Sequence, residues 1–394
     1  MKSSRSRVVL CFSGALLLLG AWGCENEQTG PGPVAPTPAP RNTYVPVSGE
    51  NPEVPLPPSP IASTAPTFNP KSAPPPRPTT IKLARSGDEP GKAQLDEGDT
   101  AFEKGDLAAA RKAYEAARKA APKKPAPAVG LARVKIAATD LPLDYAAGKG
   151  NRVVLEAVRD LKAAAKLDAE YGPAQVELGR ALLLAGDADG ALTSLREGVR
   201  LLPEEPEAHS ALGIALLATG SGDKAIAPMA KAVQLDPGSP ARHGNYGTVL
   251  LMQGQVKEAV AAYESQVAFA DNDAKAHSDL GTALLAANDI PRATKELERA
   301  VALDPKRATF RSNLGFARQS AGKLAEAQAD YEQATKLDPQ LASAWINLAT
   351  VLSKDKSTRK RARDALETAK KIDPTDPRVK ANLEELDDLE KKSP

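Results

Sequence analysis

The chain has 394 residues, 42% hydrophobic, 4% aromatic and 26% charged, with 52 basic residues against 50 acidic ones. A net charge of +2 is no electrostatic footprint for nucleic acid. Two cysteines exclude the dense disulfide framework of small secreted scaffolds.

In chain order, Lys2, Arg5 and Arg7 precede an apolar run over 8–21, and Gly23-Cys24 follows it. A charged n-region, a short h-region and a small residue before the cut predict an export signal over 1–23. The run is too short and too one-sidedly flanked for a transmembrane helix. Cys24 directly after Ala21-Trp22-Gly23 resembles the lipobox of bacterial lipoproteins, which implies lipidation of Cys24 and its exposure as the mature N-terminus. Trp22 is bulky for that box, and an ordinary signal followed by an incidental cysteine is the other reading. Cys11 would leave with the leader, so Cys24 would stand alone, with no partner for an internal disulfide. Loss of Lys2, Arg5 and Arg7 takes the charge from +2 to −1. Each buried acyl methylene contributes about 0.8 kcal/mol, so two or three chains anchor stably.

Residues 24–90 are expected to be a Pro-rich disordered linker. Pro31, Pro33, Pro36, Pro38 and Pro40 begin it, and Pro74, Pro75, Pro76 and Pro78 lie near its end. Apolar residues are too sparse for a core, and polyproline II would carry it on the order of 150–190 Å. No motif repeats within it, which favours a tether over a ligand for aromatic grooves.

From 91 onward the pattern changes. Leu178-Gly179, Leu212-Gly213, Tyr246-Gly247, Leu280-Gly281 and Leu314-Gly315 recur every 34 residues. Thirteen residues after the first member of each pair stand Ala191, Ala225, Ala259, Ala293 and Ala327. Four further on come Leu195, Met229, Tyr263, Leu297 and Tyr331. Gly186, Gly220, Gly254 and Gly322, with Asn288 filling the column once, fall mid-unit. Glycine and asparagine enter the left-handed conformation cheaply, so they end a first helix and turn the chain. Pro203, Pro237, Pro305 and Pro339 close the units, with Asp271 in that column once. Leu178/Leu182, Leu212/Leu216 and Leu280/Leu284 share one helix face at i, i+4. Each unit therefore reads as a helix–turn–helix hairpin that buries its apolar face only against its neighbours.

These columns resemble the tetratricopeptide repeat over 91–375. The resemblance implies an all-α, right-handed solenoid of about eight hairpins, near 91–124, 125–171, 172–205, 206–239, 240–273, 274–307, 308–341 and 342–375. The second unit carries an insertion at 139–150, with Leu141, Leu143 and Tyr145, read as a partner contact or a spacer. In the last unit Ala349 replaces the glycine and 354–360 forms a charged turn with about one extra residue. A capping helix is expected within 376–394, since a solenoid end needs a polar outer face.

No phosphate-binding glycine loop, H-E-x-x-H or G-x-S-x-G motif occurs, and no catalytic residue, metal site or cofactor is assigned. Asp187-Ala188-Asp189-Gly190 and Asp271-Asn272-Asp273 hint at calcium but fall at turns and lack a distal glutamate, so helix capping is the favoured reading. His209, His243 and His277, the only three histidines, occupy one column. Neighbouring helices lie roughly 8–10 Å apart whereas ligands sit about 2 Å from a metal, so they predict a ladder. Two readings remain for it, ring packing between helices and a pH-sensitive ridge.

Two residues beyond that column come Ala211, Asn245, Asp279, Asn313 and Asn347. In the family this column lines the concave face, where an amide side chain matches a peptide group in donor and acceptor. The predicted peptide groove comprises Asn245, Asp279, Asn313 and Asn347, flanked by Ser278 and Ser312 on one side and Thr248 and Thr282 on the other. Phe316 interrupts the threonine column, and Met252 and Arg318 also fall on first helices.

The function this implies is a non-enzymatic scaffold, lipid-anchored in the bacterial envelope and facing the periplasm from the outer membrane. It would hold a protein or peptide partner of an envelope complex: pilus, secretin or gliding machinery, barrel assembly, or peptidoglycan enzymes. No small-molecule substrate and no nucleic acid is expected. A soluble secreted adaptor is the alternative, with a substrate-recruiting transferase subunit behind it.

Overall fold

A computed structural model describes residues 81–84, 90–142 and 144–392. The expected signal, Cys24 and the linker as far as 80 lie outside the described residues, as does Leu143. Among the described residues the chain is all-helical, with no strand. Eight hairpins follow one another: α1 (Lys92–Glu103) with α2 (Leu107–Ala120), α3 (Ala126–Ala137) with α4 (Arg152–Leu167), and α5 (Gly172–Ala185) with α6 (Ala188–Leu201). Then come α7 (Pro206–Ala218) with α8 (Gly222–Leu235), α9 (Pro240–Met252) with α10 (Val256–Phe269), and α11 (Ala274–Ala286) with α12 (Ile290–Leu303). The array ends with α13 (Ala308–Ser320) and α14 (Leu324–Leu337), then α15 (Ala342–Leu352) and α16 (Arg359–Ile372), then a single helix α17 (Pro377–Lys392).

The hairpin turns follow from the residues at them. Gly186, Gly220, Gly254 and Gly322 all have positive φ, and Asn288 adopts φ 59° in the same column. Aspartates then open second helices: Asp106, Asp187 and Asp289 accept the amides of Ala109, Gly190 and Arg292. Asp273 likewise caps α11 through Lys275, so both acidic turns act as caps. Within each hairpin the glycine column gives way to a large side chain. A Cβ on Gly179 would lie 2.3 Å from Leu195 Cγ, and one on Gly281 2.6 Å from Leu297 Cγ. Tyr114 is fully buried between Gly98 and Gly130, which belong to successive hairpins.

First helices pack against one another all along the array, from α1 on α3 to α15 on α17, and no comparable packing joins successive second helices among the described residues. The odd-numbered helices therefore form the inner row, and α17 ends it. Asn382 of α17 reaches Thr350 on α15 at 3.2 Å, so the capping helix continues the inner register.

Two stretches differ from expectation. Residues 81–84, assigned to the linker, are docked: Ile81 and Leu83 are 3% and 1% exposed and join the core of the first hairpins. Two aliphatic side chains two residues apart bury enough surface to hold the backbone against the array. The insertion at 139–150 also folds back. Ala146 and Gly148 donate their amides to Leu183 O and Leu184 O, both at 2.9 Å, and the Tyr145 hydroxyl reaches Gly186 O at 3.0 Å. Leu183 O also accepts the Gly186 amide at 3.0 Å, and the loop adds donors at this helix end, where the last carbonyls run out of intrahelical partners. Its Tyr145 end is therefore a helix cap.

Candidate functional site

The predicted groove residues all lie on the inner helices α9, α11, α13 and α15. Asn245, Asp279, Asn313 and Asn347 are half-buried along this row. Their polar groups are partly engaged within the array. Asn313 donates its amide to Ser278 Oγ one hairpin back at 3.3 Å, and Asn245 sits 3.5 Å from Ser210 Oγ in the same relation. Ser278 and Ser312 are buried and lie beneath the row instead of lining it. Thr248 and Thr282 turn their hydroxyls to Gly244 O and Ser278 O in their own helices, and Thr248 also meets the Tyr263 hydroxyl at 3.0 Å. Asp279 pairs with Lys275 at 2.5 Å. Burial pushes its carboxyl above the usual range, against the pull of Lys275 and of a hydrogen bond from Gln266. Phe316 packs partly buried among the last hairpins, and Arg318 is tied to Asp330 and Glu298.

Upstream, the inner row has a different chemistry. A chain of ion pairs runs through Asp99, Arg133, Glu177, Arg180, Glu207 and Arg242 to Asp236, buried at all but the half-buried Arg180 and Glu207. Arg133 sets its Nε and Nη2 each 2.9 Å from Glu177 Oε1. Onto this part of the row docks the backbone of 81–84. The Leu83 amide donates to Asp99 Oδ2 at 2.8 Å, Arg133 Nη2 donates to Ile81 O at 2.7 Å, and the Tyr171 hydroxyl donates to Leu83 O at 2.6 Å. Asp99, Arg133 and Tyr171 thus read an extended backbone, and sequence reasoning missed them. For Asp99 the available signal was a charge directly after the glycine column, where Thr248, Thr282 and Thr350 stand in later hairpins.

The histidines form the ladder that their spacing predicts. Their Nε2 atoms meet Pro203 O, Pro237 O and Asp271 O at 2.8, 2.8 and 2.9 Å, each six residues back at the close of the preceding unit. Trp345 makes the same bond to Pro339 O through its indole N–H at 3.0 Å. The column is therefore a ring donor that closes the inter-repeat loop. His243 also stacks on Phe269 at 5.5 Å, and burial lowers its pKa. Among the described residues no three His, Cys, Asp or Glu side chains gather as a metal site.

Tetratricopeptide repeat models match residues 83–135, 146–206, 176–240 and 317–377, and a second model of the same description matches 216–278 and 250–315. The chain belongs to the tetratricopeptide repeat family. Arrays of this family are generally non-catalytic scaffolds that bind protein or peptide partners. No curated protein matches the chain. Among solved structures, MamA from Desulfovibrio magneticus RS-1, from its residue 41 to the end, is 26% identical over 43% of this chain and 96% of its own, with a TM-score of 0.41. The Cut9–Hcn1 hetero-tetramer of the APC/C is 17% identical over 75% of this chain and 55% of its own, with a TM-score of 0.54, a likeness of fold. YrrB, described as a TPR protein with an unusual peptide-binding site, is 23% identical over 48% of this chain and 97% of its own, with a TM-score of 0.38.

Proposed function

We propose that this tetratricopeptide array is a non-enzymatic scaffold that holds a peptide segment of an envelope protein along α9, α11, α13 and α15, and that Cys24 anchors it by lipid to the outer membrane, facing the periplasm. The observation that carries the reading is the half-buried row of Asn245, Asp279, Asn313 and Asn347, one residue on each of four successive inner helices and an amide at all but Asp279. An amide that gives its N–H to the hairpin behind it still presents a carbonyl oxygen to a backbone amide. The anchor is supported by the leader-like pattern over 1–24 and by the solitary position of Cys24 in the mature chain.

Affinity capture with cross-linking from the native envelope, wild type beside an Asn313→Ala/Asn347→Ala variant, tests the row. Reduced partner recovery with an intact helical signal is the expected result, and unchanged recovery removes the row from the reading. Fractionation of Cys24→Ala tests the anchor separately: protein that stays in the membrane without that thiol is not held by lipid.

A further inference from the structure

The docked segment 81–84 is bound as a peptide ligand would be. Its main-chain groups are read in turn, a carbonyl at Ile81 by Arg133 and an amide and a carbonyl at Leu83 by Asp99 and Tyr171. Ile81 and Leu83 enter the core while Lys82 between them is exposed. This is the alternation of an extended strand, in which main-chain bonds supply affinity and every second side chain supplies specificity. The readers are held by the array itself. The Tyr114 hydroxyl fixes Asp99 at 2.7 Å and Glu177 fixes Arg133 at 2.9 Å, bonds that do not involve the segment.

We propose that the inner row of α1 and α3, closed by Tyr171 before α5, is a peptide-binding site whose resident is the chain's own segment 81–84. The resident excludes other extended peptides of the aliphatic–any–aliphatic pattern until it is displaced. The site lies on other hairpins than the asparagine row and does not depend on it. A short tether to α1 holds the resident at an effective concentration on the order of millimolar, so a free peptide of equal quality competes poorly with it.

The test uses the full chain with Ile81→Asp/Leu83→Asp and a labelled synthetic peptide of residues 79–85, read by fluorescence anisotropy. The variant should bind the peptide saturably and wild type at least about tenfold more weakly, as the tether's effective concentration requires. Adding Tyr171→Phe to the variant should weaken binding roughly fivefold, the loss of one hydrogen bond. A folded variant that ignores the peptide overturns the proposal, and so does equal binding by variant and wild type. If the aspartates prevent folding, Ile81→Ala/Leu83→Ala takes their place. Failure of both pairs to fold makes the segment an integral part of the core and overturns the proposal as well. None of these outcomes bears on Asn313 or Asn347.

Discussion

Arg133 and Glu177, 44 residues apart, face each other at 2.9 Å with side chains 3% and 7% exposed. Burial raises the Glu177 carboxyl, yet Arg133 and Arg180 outweigh it and hold the group below its ordinary range. A depressed carboxyl contributes stability that is present above its unfolded value and lost as pH falls through its folded one. Glu177→Gln leaves Arg133 buried and short of a charge, a loss of about 3–5 kcal/mol by the behaviour of broken buried pairs. Hydrogen exchange of α1 to α5 at pH 7 should show the loss, and the gap to wild type should narrow below the usual carboxylate range.

His243 gives the opposite kind of pH dependence. Burial holds its imidazole below 6.5, so the unfolded chain binds the proton more readily. Stability from this group is full above 6.5 and falls as the pH drops below it. His243→Phe should lose about 1 kcal/mol at pH 8, where the bond to Pro237 O is missing. It should also flatten the decline between pH 8 and pH 5. Thermal unfolding at both pH values measures the two effects, and an unchanged decline in the variant would place the acid sensitivity elsewhere.

The contact of Gly179 with Leu195 leaves no room for a methyl group. Gly179→Ala should cost about 1–3 kcal/mol through overpacking. Leu195→Ala should cost about 2–5 kcal/mol through a cavity. The double variant should cost less than the sum, because the new methyl occupies part of the space that the leucine leaves. Strict additivity in denaturant unfolding would show that the two sites do not share that space.

Asn288 turns α11 into α12 with φ 59°. Asn288→Gly should be neutral or slightly favourable at that conformation. Asn288→Val should cost about 1–2 kcal/mol, since the left-handed region crowds Cβ against the carbonyl. Equal midpoints for the two variants would mean that the turn adjusts away from the left-handed region.

The hairpins, their turns and the histidine ladder were readable from spacing, because helix periodicity, left-handed turn residues and proline stops act within a few residues of themselves. The 34-residue column also placed Asn245, Asp279, Asn313 and Asn347 on successive inner helices without any coordinates. What lay beyond spacing was which atoms each side chain meets. Asn313 turns to Ser278, and Trp345 and the three histidines turn to carbonyls that close the preceding units. The insertion at 139–150 reads as a loop, yet its partners are the terminal carbonyls of α5, more than thirty residues on. The docking of Ile81 and Leu83 was the least readable of all. Four residues carry no period, and their stability comes from Asp99, Arg133 and Tyr171, which only the stacking of three hairpins brings together. Local sequence thus determines where this chain is helical and where it turns. Packing decides which inner surface holds a backbone already, because that depends on distances between residues with no local reason to meet.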